Sequence, residues 1–166
     1  LQLYVQNDLL DGVAVLLNVL VCIADLCRSA KVTATSFKEG CEPENVINGV
    51  ARRVGKNENA WESADLQNAV LTLALAEAAE VKQIRITFDP NLTKEIMPSM
   101  TRNVRDRQVK GMPHELVKAY KVEALLGGEV VWSKDVAENY QRLNIHELDA
   151  VKCDTIRITT SKGWQF

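Results

Sequence analysis

The alternation of apolar and polar positions changes rhythm near residue 30. Before it, Leu, Val and Ala dominate without proline, and Leu16, Leu17, Leu20, Ile23 and Cys27 recur at helical spacing, which predicts a helical lead-in over residues 1–30. Gly12 interrupts this stretch, so two short helices or a turn and one helix both fit. From Val32 to Ser36 the residues become mostly β-favouring, and Gly40 and Pro43 mark a loop. Short strands are then expected at Val70–Leu75, Val81–Phe88, Lys118–Leu125, Glu129–Val136, Gln141–His146 and Asp154–Thr160. In the second of these, period-two alternation puts Val81 and Gln83 on one face and Lys82, Ile84, Ile86 and Phe88 on the other. Gly127 and Gly128 form the expected hairpin turn between the third and fourth. The helices that a βαβ pattern would interleave are missing, so the fold class is mainly β, a sandwich over residues 31–166 preceded by the helical lead-in.

Composition narrows the function. With 166 residues, 46% hydrophobic and 25% charged, the chain has the makeup of one globular domain. A net charge of -2 gives no general attraction to nucleic acid or to an anionic membrane. The apolar run Val13–Ala24 holds Asn18 and is too short for the roughly 20 residues of a membrane span. Asp8 and Asp11 precede it with no Lys or Arg, unlike the basic start of a signal peptide. The first residue is Leu1 rather than Met, which fits a fragment or a processed form. Cys22, Cys27, Cys41 and Cys153 follow no zinc-ligand spacing and read as reduced thiols.

The segment 89–113 is long for a connection and holds Pro90, Pro98 and Pro113. Within it the stretch Met100–Lys110 has Arg102, Arg105, Arg107 and Lys110 against Asp106 alone, which reads as a solvated loop or as a docking surface for an acidic neighbour or an anion.

Several segments resemble a known fold family. Glu44-Asn45-Val46-Ile47-Asn48-Gly49 followed by Trp61 resembles the turn and tryptophan of discoidin, or galactose-binding-like, jelly rolls. Glu129-Val130-Val131-Trp132, Asn139-Tyr140-Gln141-Arg142-Leu143 and Asp154-Thr155-Ile156-Arg157-Ile158-Thr159 look like successive strands of the same fold. The pieces Arg28–Ser36, Val46–Val50 and Met112–Lys118 are similar to the C-terminal module of some bacterial FAD-dependent oxidoreductases. That resemblance implies a non-catalytic accessory domain that docks on an upstream catalytic domain or binds a carbohydrate-like ligand. FAD would lie only in that upstream part, and the compartment stays open between bacterial cytoplasm and periplasm. The chain departs from the family where Asn48 replaces a calcium-ligating Asp, a neutral carbonyl in place of a carboxylate. It also ends at Phe166, where the family typically continues into another strand: either that strand is missing, which would leave an exposed sheet edge, or the chain finishes differently. The apolar stripe of the lead-in separately leads to an expectation of self-association into a homo-oligomer.

Three functions follow. A docking module would use the 89–113 loop and the lead-in. An independent carbohydrate-binding or adhesion module would offer an aromatic face and convergent polar groups, for which Tyr140, Trp164, Arg52, Arg53, Asn139 and Arg142 are the candidates, whereas Trp61 and Trp132 are expected in the core. A stand-alone hydrolase would need His114 or His146 beside a carboxylate such as Glu115, Glu147 or Asp149. With no GxSxG, HExxH, CxxC or phosphate-binding glycine motif, no catalytic residue is assigned.

Overall fold

A computed structural model describes residues 2–7, 24–51, 53–65, 68–90, 112 and 116–163. Seven strands are present among these residues: β1 (Gln2–Asn7), β2 (Ala24–Asp25), β3 (Lys31–Ala34), β4 (Ala69–Thr87), β5 (Val117–Leu126), β6 (Glu129–Val136) and β7 (Leu143–Gly163). All pairings are antiparallel, in the order β2-β1-β4-β7-β5-β6, with β3 added to β4.

The long strands β4 and β7 make a sandwich from this continuous ladder, because each serves both layers. The first half of β4 pairs with β3 and the last half of β7, which also carries β5 and β6. The second half of β4 pairs with β1 and the first half of β7. Two irregularities lie near the crossing from one half to the other. Leu75–Ala78 of β4 stand against Asp154 alone, and Leu148–Ala150 of β7 stand against Lys82 alone. The layers meet face to face where His146 of β7 packs against Tyr120 of β5 and Trp132 of β6, with ring centroids 5.8 and 6.4 Å apart. Between them lies an aliphatic core in which Leu71, Leu73, Val81, Ile84, Ile86, Val122, Ile156 and Ile158 are fully buried. Each such side chain contributes roughly 1.5–3 kcal/mol through burial.

Two expectations are corrected. Where it is described, the N-terminal segment is not helical: residues 2–7 are a strand, 24–25 pair with it, and Leu26–Ser29 form a short 3-10 turn. The reason is the alternation of Leu3 and Val5 with polar neighbours. It sets these two opposite the buried Ile86 and Ile84 of β4, and sheet pairing satisfies the backbone of such a segment. The helical stripe from Leu16 to Ile23 lies outside the described residues. In β4, Val81 does not share a face with Gln83. It is buried along with Ile84, Ile86 and Phe88, because the irregularity at Lys82 shifts the alternation by one residue.

Trp61 is buried and its indole N–H donates to the Ser36 carbonyl at 3.0 Å, while Trp132 is half-buried against the core. Among the described residues, no helix is long and apolar enough to cross a membrane. Cys27, Cys41 and Cys153 are buried free thiols, and burial pushes Cys153 up to about 11.

Candidate functional site

One end of the sandwich gathers the loop between β6 and β7 (137–142), the loop between β3 and β4, and the end of β4. Polar side chains make the first of these loops rigid. Asn139 is 2% exposed, and its amide N–H donates to the Val117 carbonyl at 2.9 Å. Its Oδ1 accepts from the Gln141 backbone N–H at 2.9 Å and from Asn144 Nδ2 at 3.0 Å. The main chain adds bonds from Asn139 N–H to Lys118 and from Phe88 N–H to Arg142, both 2.7 Å. Arg142 closes the cluster by donating to the Ala51 carbonyl of the neighbouring loop at 2.7 Å.

On this frame sits a shallow depression of about 190 Å³, lined by Val136, Glu138, Asn139, Tyr140, Gln141 and Asn144. Tyr140 is 66% exposed, the most exposed of the large apolar or aromatic side chains among the described residues. The side chains of Glu138, Tyr140 and Gln141 engage no other described residue. The depression therefore offers the Tyr140 ring, the Glu138 carboxylate and the Gln141 amide to a solute.

The six sequence candidates separate on this geometry. Tyr140 presents its ring to solvent at the depression. Asn139 and Arg142 are occupied in holding the loops. Arg53 pairs with Glu58 at 3.3 Å and donates to the Gly55 carbonyl at 3.2 Å, within its own loop. Arg52 and Trp164 lie outside the described residues, as do His114 and most of the 89–113 loop. Glu138, Gln141 and Asn144 were missed by sequence reasoning, which began a strand at Gln141 where β7 begins at Leu143. The one available signal was the unbroken polar run around Tyr140.

Asn48, the calcium-ligand candidate, is engaged by its neighbours. Its Oδ1 accepts from the Val50 N–H at 2.8 Å, and its main-chain oxygen accepts from the Arg28 guanidinium at 2.9 Å. Arg28 lies against Gly49, whose φ of +81° suits glycine, and a Cβ there would meet the guanidinium at 1.9 Å. Among the described residues no three His, Cys, Asp or Glu side chains come together as metal ligands.

Among the described residues His146 has no carboxylate partner. Its Nε2 lies 3.1 Å from the Tyr120 hydroxyl, inside the sandwich. Burial, with a smaller contribution from Lys134, holds its pKa below the ordinary 6.5. Glu147 is exposed and bonds Gln83 instead.

No family model matches the sequence, and no curated protein matches it. Solved structures do share its fold. The family 32 carbohydrate-binding module of C. perfringens NanJ, solved with galactose, aligns with a TM-score of 0.55 at 18% identity, over 83% of this chain and 87% of that one. The family 32 carbohydrate-binding module of Streptococcus pneumoniae EndoD aligns with a TM-score of 0.59 at 17% identity, over 84% and 88%. A Streptococcus pneumoniae fucose-binding module aligns with a TM-score of 0.61 at 9% identity, over 83% and 88%. The chain thus has the galactose-binding-like jelly-roll fold seen in lectin-type modules. These similar structures are binding modules, and none of the three is a flavoprotein.

Proposed function

We propose that this chain is a non-catalytic carbohydrate-binding module whose ligand sits at the loop between β6 and β7. The observation that carries the proposal is Tyr140, an aromatic ring 66% exposed beside a polar depression and mounted on a loop whose conformation is fixed by the buried Asn139. Sugar recognition needs that combination: an apolar face for the C–H side of a pyranose ring, and nearby polar groups that fix its hydroxyls. Rigidity matters because a loop ordered before binding does not lose further conformational entropy on contact. The sugar-binding modules of the same fold support this reading over a docking role on an upstream flavoenzyme.

Calorimetric titration with a panel of mono- and oligosaccharides tests it. Saturable binding is expected for at least one sugar, and Tyr140→Ala should weaken it about tenfold, the loss of roughly 1.4 kcal/mol. Binding unchanged by that substitution, or no binding across the panel, would overturn the proposal.

A further inference from the structure

The charge of the depression carries the reading one step further, to the class of sugar it takes. Among its lining residues Glu138 is the sole charged side chain, exposed and engaged by no ion pair or hydrogen bond among the described residues. The nearest cation of the same loop, Arg142, is committed to the Ala51 carbonyl in the neighbouring loop. Gln141 provides a neutral amide able to serve sugar hydroxyls, whereas the Asn144 amide nitrogen already donates to Asn139 Oδ1 and to the Gln141 carbonyl. An unpaired carboxylate adds discrimination by charge: it repels uronic, sialic and sulfated sugars and attracts a protonated amine.

We infer that the depression selects amino sugars with a free ammonium group, of the glucosamine type, through a charge-assisted hydrogen bond from that group to Glu138 while Tyr140 covers the ring face. The inference rests on the sugar-binding proposal above. A charge-assisted bond is stronger than its neutral counterpart, and at an exposed position it weakens as salt is added.

The test is titration of the chain, as wild type and Glu138→Gln, with a glucosamine oligomer, an N-acetylglucosamine oligomer of equal length, a neutral galactoside and a uronic acid oligomer. At low salt the wild type should bind the glucosamine oligomer about tenfold more tightly than its acetylated counterpart and should not bind the uronic acid oligomer. Glu138→Gln should bring the first two within about twofold, with an unchanged near-ultraviolet circular dichroism spectrum confirming the fold. Neutral sugars bound as tightly as the glucosamine oligomer would overturn this inference and leave the sugar-binding proposal standing. A glucosamine preference that survives in Glu138→Gln would likewise remove Glu138 as its source, whereas silence with all four sugars would overturn both proposals.

Discussion

Asn139 illustrates how one polar side chain can hold the conformation of a whole loop. It is buried, and each of its side-chain groups is paired, so truncation would leave the Val117 carbonyl and the Gln141 N–H without their partner. Asn139→Ala should cost about 1–3 kcal/mol of stability, read from urea unfolding, and should weaken sugar binding through the loop that Asn139 holds. His146 makes a different prediction. Its folded pKa lies below 6.5, so on acidification the unfolded chain takes up a proton before the folded chain does. The stability contributed by neutral His146 is therefore complete above about pH 6.5 and falls as the pH drops toward its folded pKa. Between about pH 6.5 and 5 the thermal midpoint of the wild type should fall more steeply than that of His146→Gln. Parallel slopes would contradict the burial argument. Glu123 behaves oppositely, because the Arg157 guanidinium at 2.7 Å, assisted by Lys121, holds its carboxyl below the usual range despite burial.

The strands differ in how plainly their residues announce them. The bounds of β6 agree with the alternation, because Gly127 and Gly128, at φ +59° and +91°, punctuate the chain where the hairpin turns. β4 and β7 read instead as pairs of shorter strands, since Glu77 to Glu80 and Glu147 to Ala150 break the apolar pattern. In the fold both strands continue through those breaks as irregularities, which depend on cross-strand register and leave no local signature. The N-terminal strand was hidden for a related reason: its six residues are followed by a longer stretch with helical spacing, and its partner, β4, lies far along the sequence. At the β7 irregularity Ala150 adopts φ +49°, a left-handed conformation costly for any residue with a Cβ. Ala150→Gly should relieve that cost and raise the thermal midpoint by about 1–4 °C, which differential scanning calorimetry would detect. A lowered midpoint would show that the irregularity is not strained.

At the scale of the molecule, a mainly β sandwich was legible from strand spacing, and its jelly-roll form from the resemblance carried by motifs such as Asn48-Gly49, whose glycine conformation the fold does require. The site was legible only in part. Tyr140 stood out as an aromatic in a polar turn, but the depression beside it exists because Asn139 reaches β5, a contact between residues distant in the chain. Of the candidate arginines, Arg142 braces its loop against the one at Ala51 and Arg53 pairs with Glu58, while Arg52 lies outside the described residues. What results is a rigid sandwich presenting a small aromatic and amide-rich surface at one end, an arrangement suited to holding a solute. The most direct test is to titrate the isotopically labelled chain with whichever sugar binds and follow its backbone amides by nuclear magnetic resonance. Shifts centred on residues 136–144, spreading to the neighbouring loop at Ala51, are the predicted result; shifts centred on another face of the sandwich would contradict the assignment of this loop as the binding site.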